Sequence, residues 1–441
     1  MNAAPITDAL ASYAISSSAN IPNSACHIAR LSALDWLAVS IAGRDEPVSQ
    51  IVRGMIEAEG GTAQAGVFGT AQKYPARAAA LANGTISHAL DYDDTHFLHI
   101  GHPSVGIMPA ALAVAQQTGS TIDEWLDAAL MGMEASCRVG DWLGRAHYKI
   151  GFHQTATAGS IGSVVAAARL LKLTEEQTRY AIGLAATRTS GLKCQFGTMG
   201  KPYHAGMAAA NGVEAVTLAA SGFISRPDAL ECEQGLAWTH HAACHALAFD
   251  GLGDIYVFES VQHKLHACCH GTHAALEAII EARDTHQITP ESVEKILIHT
   301  QAPWLKVCDI PEPATGLEAK FSYRMTSAMV LQGYDTAAIT TFEDALCKAP
   351  ALIALRDKVT AVADDAMTET QSTVTFTLKG CKEITVFHDL AGSTPYEKRA
   401  QKVKAKAATL LGQDLMARIW AVIEGDTTDL DALAFVFNQS S

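Results

Sequence analysis

The chain has 441 residues, of which 49% are hydrophobic and 18% charged, and its formal net charge is −14 at pH 7. This length predicts two or three domains with a sizeable core, and the acidic balance argues against nucleic-acid binding, because nucleic-acid binders present a basic face. The small share of charged residues favours a homo-oligomer, since a partner subunit would cover part of the surface.

The sequence predicts a cytoplasmic protein. Residues 1–19 lack a basic region followed by an apolar run, so we expect no secretory signal. We also expect no membrane span, because no stretch of about 18 apolar residues is present. The ten cysteines are scattered, apart from the neighbours Cys268 and Cys269, which favours reduced thiols over a disulfide framework.

The first 265 residues carry mostly helical patterns. Apolar residues recur at helical spacing in five segments, namely residues 22–42, 75–90, 103–117, 154–172 and 204–221. Many of these segments hold Ala, Gly and Ser on the packing face, which allows helix axes to approach closely. Thr121 and Thr174 each begin a capping-box motif, with Glu or Gln three residues later. We therefore predict a nearly all-helical region up to residue 265.

The pattern changes after residue 285. Val293 to Thr300 resembles a strand, and residues 372–378 and 383–388 alternate on either side of a turn, which predicts a hairpin. Helical stretches follow or intervene near residues 322–333, 342–356, 396–411 and 413–424. The fold class is thus mostly α, with a large helical domain over residues 1–265 and a smaller α+β lid domain over residues 266–394. Residues 395–441 are expected to return to the large domain.

The densest polar cluster is HALDYDDTHFLHIGHPS, which begins at His88 and contains three carboxylates and four histidines within fifteen residues. Such density costs stability unless the groups are paired or solvated, and the segment ends at a predicted helix start, where backbone N–H groups favour anions. We interpret Asp91, Thr95 and His102 as lining a site, with His102 binding a carboxylate or moving a proton. The alternative is that the aspartates cap helices and the histidines are structural.

Two further Gly-rich turns lead into predicted helices. In YKIGFHQTATAG, Tyr148 and His153 could each donate to an oxyanion or pass a proton, although a capping role suits His153 equally well. In GTMGKPYHAG, Lys201 could aim its ammonium at a carboxylate or, when desolvated, act as a base. His204 could orient its neighbours there, and a solvated lysine is the alternative.

Three groups of residues raise the question of a metal, and we predict none. His96, His99 and His102 are spaced i, i+3, i+6, which does not put all three on one face of a helix. The segments HKLHACCHGTH, from His263, and HHAACH, from His240, match no standard Cys/His zinc spacing. A structural role is favoured for the second of these segments.

One more segment offers a carboxylate-binding residue, and the sequence lacks the common nucleotide-binding and hydrolase motifs. In KFSYRM, Arg324 at a helix start could hold a carboxylate bidentately, with an exposed ion pair as the alternative. The sequence has no G-x-G-x-x-G or G-x-x-x-x-G-K-[ST] motif between a strand and a helix, and no G-x-S-x-G motif.

Five of the polar segments together, and in this order, resemble the MmgE/PrpD family. They begin at His88, Tyr148, Gly197, His263 and Lys320. The family includes 2-methylcitrate dehydratase, cis-aconitate decarboxylase and iminodisuccinate epimerase. The resemblance covers residues 10–410 and is strongest in HALDYDDTHFLHIGHPS, GFHQTATAG and GTMGKPYHAG. It implies a large helical domain with a smaller α+β lid domain, a homodimer, and no metal or organic cofactor.

Four residues of this chain match active-site positions of that family: Asp91, Thr95, His102 and Lys201. Lys264 matches the lysine that opens the HKLHACCHGTH segment in the family. Two positions depart from it. Cys269 stands where the decarboxylase branch has a histidine, five residues beyond Lys264. Met325 stands where dehydratase and decarboxylase relatives carry a tyrosine after a Phe-Ser pair, although His270 and Tyr323 lie close by. These losses, and the compact length, make the chain more similar to the epimerase branch.

The resemblance implies a cofactor-independent epimerase of a small, iminodisuccinate-like polycarboxylate, which removes and returns a proton at the carbon α to a carboxylate. Epimerisation needs two acid/base groups that flank one carbon, and we assign Tyr148 and Lys201 to them, with His102 as a third catalytic residue. Substrate contacts are expected from Asp91, Thr95, His153, His204, Lys264, Cys269 and Arg324. The alternatives are a lyase of the same family and, in another class, a non-catalytic helical scaffold.

Overall fold

The computed structural model describes residues 5–438, which form two compact units. The larger unit contains the described residues up to His263 together with those from Leu411 onward, and the smaller unit is Lys264–Leu410. Residues 396–410 therefore belong to the smaller unit, whereas the sequence analysis expected residues 395–441 to return to the larger one.

The larger unit begins with ten helices and a short strand pair. In chain order these are α1 (Ile6–Ile15), α2 (Asn23–Gly43), α3 (Pro47–Glu59), β1 (Ala65–Gly66), β2 (Lys73–Tyr74), α4 (Ala76–Ser87), α5 (Pro103–Thr118), α6 (Ile122–Ile150), α7 (Gln154–Leu170), α8 (Glu175–Ala186), α9 (Gly200–Ala220) and α10 (Leu236–Thr239).

The smaller unit combines helices with four strands. These are α11 (His273–His286), β3 (Val293–Thr300), α12 (Ala302–Cys308), α13 (Gly316–Ala319), α14 (Tyr323–Leu331), α15 (Asp344–Cys347), α16 (Pro350–Arg356), β4 (Val359–Ala363), β5 (Gln371–Leu378), β6 (Lys382–Asp389) and α17 (Tyr396–Leu411). The chain then returns to the larger unit in α18 (Gln413–Glu424).

Local signals set the helix ends of the larger unit. Pro103 begins α5, and Gly119 ends it in the left-handed region at φ 69, where glycine carries no Cβ penalty. The hydroxyls of Thr121 and Thr174 accept from the backbone N–H three residues on, and both capping boxes are complete. The predicted mostly helical fold is confirmed for this unit.

Small residues allow α4 and α9 to cross at close range. A Cβ placed on Gly84 would lie 2.8 Å from the Cα of Gly206, closer than any side chain tolerates, so the two backbones touch. Gly84 lies one turn before His88, and Gly206 lies two residues after His204. The crossing therefore brings the end of α4 and the first turns of α9, which carry Lys201, into one neighbourhood.

The prediction of nearly continuous helix up to residue 265 was wrong for residues 221–263. That stretch contains α10, a short 3-10 helix over Val257–Ser260, and turns. Its backbone is held from outside, because the buried Arg138 of α6 donates to three carbonyls between residues 248 and 255 at 2.6 to 3.0 Å. Glu134, one turn earlier, accepts from the backbone N–H of Phe258 at 2.8 Å. A buried ion pair thus replaces helical hydrogen bonds.

Among the described residues, α2 is the one helix that is long and apolar enough by length and composition to cross a membrane. This differs from the expectation that no such stretch exists. However, 78% of its apolar window is buried inside the unit, as in the core helix of a globular protein, so the helix is weak evidence for a membrane span.

The smaller unit is built on a four-stranded sheet of order β4-β3-β5-β6. β3 pairs parallel with β4 and antiparallel with β5, and β5 forms the predicted hairpin with β6. Ile296, Phe376 and Ile384 lie opposite one another across three strands and are buried. α11 packs on β5 and β6, while α14 packs beside β4, so the predicted α+β unit is confirmed.

Candidate functional site

The polar segment found in the sequence is a loop over residues 88–102, between the buried helices α4 and α5. Two backbone pairs fold it: Thr95 N–H donates to the carbonyl of Gln262 at 2.8 Å, and His96 N–H donates to that of Gly101 at 2.9 Å. The His102 N–H donates to the hydroxyl of Thr155 at 3.0 Å. The loop is therefore anchored at its middle and at its end.

Asp91 adopts an unusual backbone conformation in this loop, with φ 49. A non-glycine residue in the left-handed region costs on the order of 1 kcal/mol and persists only where neighbouring contacts enforce it. Its side chain is 46% exposed while the flanking loop is largely buried. The conformation presents one carboxylate outward from an otherwise enclosed cluster.

Asp93 is the buried centre of the cluster. Its Oδ1 lies 2.8 Å from His88 Nδ1, and its Oδ2 lies 2.8 Å from His102 Nδ1. Burial by itself would raise the pKa of Asp93, but the two imidazoles outweigh it and hold that pKa well below its ordinary value. Asp93 is therefore an ionised carboxylate that accepts a hydrogen bond from His88 and lies in close contact with His102.

His102 is neutral in this arrangement. Burial lowers its pKa to about 4 in spite of the attraction of Asp93. Since Nδ1 faces the Asp93 carboxylate, the proton of the neutral ring belongs on Nδ1, and Nε2 carries the lone pair. Nε2 lies 3.5 Å from Asp91 Oδ1. Two acceptors at this spacing favour a proton donor between or beside them.

Lys201 supplies the positive charge of the site. Its Nζ lies 2.6 Å from Asp91 Oδ2, and its side chain is 16% exposed. The ammonium also lies 5.4 Å from the centroid of the Phe196 ring. Asp91 therefore joins a neutral imidazole on one oxygen to an ammonium on the other, and the alternative of a solvated lysine is wrong.

His153 and His204 form a second imidazole pair beside the first. Their Nδ1 atoms are 3.0 Å apart, so one donates to the other. Burial, followed by the charge of Lys201, lowers the pKa of His153, and burial lowers that of His204 to about 4. His153 is the N-cap residue of α7, but its side chain makes no capping hydrogen bond, so the capping interpretation was wrong.

Tyr148 lies in the last turn of α6, just beyond a break at Gly144, where φ is 70. Burial raises the pKa of its phenol, and the Asp91 carboxylate raises it further. Tyr148 thus lies within electrostatic reach of the same carboxylate that pairs with Lys201. The ammonium of Lys193 lies 3.5 Å from the centroid of its ring.

The remaining three predicted site residues, Lys264, Cys269 and Arg324, belong to the smaller unit. Lys264 is buried, and the Cys269 N–H donates to a backbone carbonyl of the same unit at 2.9 Å. Arg324 Nε lies 3.8 Å from an oxygen of Asp309, which fits the ion-pair alternative. The structure groups the other predicted residues within the larger unit, and the roles of these three stay predictions.

Tyr323, Met325 and His270, which lie close in sequence to Arg324 and Cys269, make contacts inside the smaller unit. The hydroxyl of Tyr323 donates to the carbonyl of Gly271 at 2.6 Å and lies 3.1 Å from that of Thr300. Met325 is completely buried, and the His270 ring lies 4.6 Å from the His273 ring. The Tyr323 hydroxyl therefore already donates inside its own unit, and the thioether of Met325 has no proton to donate.

Four residues of the larger unit could offer ligand atoms to a cation: His88, Asp91, Asp93 and His102. Those atoms lie within 4.8 Å of one another. This set differs from the His96, His99 and His102 group considered in the sequence, because His96 Nε2 lies 2.8 Å from a backbone carbonyl and its Nδ1 accepts from the backbone. Asp91 and Asp93 already have cationic or imidazole partners, which an added cation would have to displace.

The loop was predictable from the sequence, but its central buried carboxylate, Asp93, was not. His88 and Asp93 belong to the polar segment, but the sequence interpretation selected Asp91, Thr95 and His102 from it. Spacing in a loop carries no fixed period, so it could not show which carboxylate is buried. Lys193 gave no signal at all, because it is close to Tyr148 only in the folded chain.

Comparison with known proteins identifies the family of this chain. The family model for the MmgE/PrpD N-terminal domain matches residues 8–242, and that for the MmgE/PrpD C-terminal domain matches residues 266–421. The cis-aconitate decarboxylase-like protein oryM of Aspergillus oryzae is 26% identical over 373 residues, which are 78% of this chain and 76% of that protein.

Two cis-aconitate decarboxylases are also similar. The Aspergillus terreus enzyme is 29% identical over 276 residues, which are 59% of this chain and 56% of that enzyme. The human enzyme is 25% identical over 300 residues, which are 65% of this chain and 61% of that enzyme. The matches thus span less than two thirds of either decarboxylase. The two family models together cover most of the chain, and the protein belongs to the MmgE/PrpD family.

Proposed function

We propose that the protein is an enzyme that removes and returns a proton at the carbon α to a carboxylate of a small polycarboxylic acid, and that it acts as an epimerase on an iminodisuccinate-like substrate. The observation that carries the proposal is the chain Lys201–Asp91–His102, which ends in a neutral imidazole and lies within electrostatic reach of Tyr148. Acid/base groups and a fixed cation are thus concentrated at one half-exposed carboxylate.

The chemistry requires these groups. A carbon acid next to a carboxylate is very weak, so the enolate-like transition state needs positive charge and donors held in place before the reaction. Lys201 acts as one base in its neutral amine form, and the ammonium that forms when it takes the α-proton is the cation beside the enolate. Lys201 and Tyr148 return to their starting forms by exchanging protons with solvent. Tyr148 is the group on the opposite face that delivers a proton. His102 Nε2 accepts from the substrate while Asp93 fixes its tautomer.

Cys269, Met325 and Tyr323 support the epimerase over the other family reactions. Cys269 and Met325 replace a histidine and a tyrosine found in the decarboxylase branch, and the one tyrosine nearby, Tyr323, uses its hydroxyl inside its own unit. A reaction that only exchanges a proton does not need those groups. Elimination or decarboxylation requires additional proton handling at a departing group.

A lyase is the second candidate, and the comparisons favour it. The similar proteins named above are decarboxylases or decarboxylase-like. In a lyase, the same Lys201 and Tyr148 would face a substrate that loses hydroxyl or carbon dioxide.

Proton NMR with three separate acids distinguishes these reactions. The purified enzyme is offered iminodisuccinate, 2-methylcitrate and cis-aconitate, and the proposal predicts interconversion of iminodisuccinate stereoisomers with no new olefinic signals. An unsaturated product from 2-methylcitrate, or itaconate from cis-aconitate, would overturn the epimerase in favour of the lyase. No change in any of the three would revive the non-catalytic scaffold.

The role assignment has its own kinetic test. Lys201→Ala and Tyr148→Phe should each lower kcat by about 100-fold or more, the usual contribution of a general acid or base. If both variants keep the wild-type kcat and only raise KM, these two residues bind substrate and the assignment is wrong.

A further inference from the structure

Lys193 contacts Tyr148 in two ways. Its Nζ lies 3.5 Å from the centroid of the Tyr148 ring and donates to the backbone carbonyl of the same residue at 3.1 Å. An ammonium over an aromatic face is attracted by the negative face of the ring. A single cation therefore holds both the side chain and the main chain of Tyr148.

The backbone fixes Lys193 in this position. Its N–H donates to the carbonyl of Gly151 at 2.8 Å, and the N–H of His153 donates to the carbonyl of Gly191 at 2.9 Å. Phe152 and Leu192 form a bridge between these two bonds. The segment 191–193 is thus tied to the segment that follows Tyr148, and the lysine is not a freely moving surface side chain.

The charges around Tyr148 give this contact a chemical consequence. Asp91 disfavours the phenolate, whereas Arg145 on the same helix favours it. Lys193 adds a second cation from a different segment, directly over the ring. Its own pKa is lowered by desolvation, so the fold accepts a cost to keep this ammonium half-buried on the tyrosine.

We propose that Lys193 is a positioning residue for Tyr148: it fixes the ring and stabilises the phenolate that forms when Tyr148 gives up its proton. The inference rests on the proposed function, because it requires Tyr148 to exchange a proton with the substrate. Lys193 itself needs no contact with the substrate. It acts through the face of the ring, while the hydroxyl edge performs the transfer.

The test compares Lys193→Met with Lys193→Arg, and with Lys149→Met as a matched control. Lys149 is the exposed neighbour of Tyr148 in sequence, so Lys149→Met also removes one positive charge close to the end of α6. Lys193→Met should lower kcat by about three- to thirtyfold, the range of a cation–π contact, with little change in KM. It should also move the alkaline limb of the kcat–pH profile upward. Lys193→Arg should restore most of the rate, and Lys149→Met should match the wild type.

Combination with Tyr148→Phe separates the possible failures. If Lys193 acts through the phenol, Lys193→Met has no further effect on kcat in a Tyr148→Phe background. An equal loss in both backgrounds overturns the inference, as does a wild-type rate and pH profile in Lys193→Met when Tyr148→Phe is impaired. If Tyr148→Phe is itself fully active, the acid/base role of Tyr148 fails first, and Lys193 has nothing to position.

Discussion

At the scale of single residues, one buried carboxylate organises the site. Asp93 accepts from His88 and faces His102, and this sets the neutral tautomer whose Nε2 points towards Asp91. The carboxylate that matches the family position, Asp91, is the half-exposed partner of Lys201. The buried Asp93 therefore holds the two histidines in place, whereas the half-exposed Asp91 contacts Lys201.

Replacing Asp93 by Asn should be far more harmful than replacing its neighbour. An amide has one acceptor oxygen, so Asp93→Asn cannot serve two imidazole donors, and the tautomer of His102 is no longer fixed. We expect kcat to fall by about 100-fold or more, measured under saturating substrate.

Asp94→Asn is the matched control. Asp94 is equally buried, but burial raises its pKa to about 7. One of its oxygens accepts from the Ser104 N–H at 3.2 Å, and the other accepts from the Ser104 hydroxyl. An amide oxygen can keep the first bond and the amide nitrogen can donate to the hydroxyl, so the loss in kcat should be less than about tenfold. Equal losses in the two variants would show that the loop needs both carboxylates for folding and that Asp93 has no special role.

Residue identity was predictable only in part from the sequence. Asp91, His102 and Lys201 were found because each stands in a dense or Gly-rich turn, and the structure brings them together. His88, Asp93 and Lys193 were not, because their importance depends on which loop atoms face inward, and no periodicity determines that.

At the scale of elements, a close helix crossing positions segments of the candidate site. The end of α4 and the beginning of α9 meet at Gly84 and Gly206, and the residues that follow or precede these glycines belong to the site. Any side chain at the crossing must push the two helices apart.

Gly84→Ala should destabilise the protein by about 1–3 kcal/mol, the usual cost of overpacking. Activity should fall by more than the loss of folded protein explains, because the helix ends that carry His88 and Lys201 separate. Chemical denaturation gives the stability, and kcat is measured well below the melting temperature.

Gly54→Ala is the control for this substitution. Gly54 is an exposed helical glycine of α3 with nothing within 4 Å of an added Cβ, so alanine should raise the stability by about 0.5–1 kcal/mol. Two variants with the same small effect would contradict the tight crossing.

Element boundaries were predicted best where a local signal exists. Both capping boxes and the β5–β6 hairpin formed as expected. Residues 221–263 were misjudged because their backbone partners are Arg138 and Glu134, which lie about a hundred residues earlier. A local sequence pattern cannot predict hydrogen-bond partners that lie so far away in the chain.

At the scale of the whole molecule, buried histidines should make the protein sensitive to acid. Burial is the largest cause that lowers the pKa of His99 to about 3 and those of His102 and His147 to about 4. Above pH 6.5 these rings are neutral in both the folded and the unfolded chain and do not affect stability. Below it, the unfolded chain binds protons that the folded chain refuses.

The free energy of unfolding should therefore fall as the pH is lowered from 6.5 towards 4. Asp94 opposes the trend by one proton, because its raised pKa of about 7 favours the folded state in acid. The pKa values of four further carboxyls are also raised, those of Asp127, Glu134, Glu231 and Asp309. The pKa values of five further histidines are lowered, those of His153, His204, His240, His273 and His388. The histidines outnumber the carboxyls, so the balance is a net loss of stability in acid. Melting temperatures measured between pH 7 and pH 5 should decrease steadily, and a flat or rising curve would contradict the neutral histidines.

We also propose that the protein is a homodimer, as the family resemblance implies. Trp238, Leu247 and Ile255 of the larger unit are 66%, 75% and 62% exposed, and a second copy would cover such apolar side chains. Sedimentation should give twice the mass of one 46.7 kDa chain, and Leu247→Lys should shift the equilibrium towards the monomer. A monomeric wild type at micromolar concentration would rule the dimer out.

The central claim is that Tyr148 and Lys201 handle protons on opposite faces of one carbon. It is tested most directly by proton NMR of the Tyr148→Phe variant with iminodisuccinate in deuterium oxide, where exchange at the α-carbon and inversion of its configuration are followed together. The claim predicts that the variant still exchanges deuterium through Lys201 into one stereoisomer, while inversion falls by at least about 100-fold. Exchange and inversion that fall together, or that both stay at the wild-type rate, would contradict it.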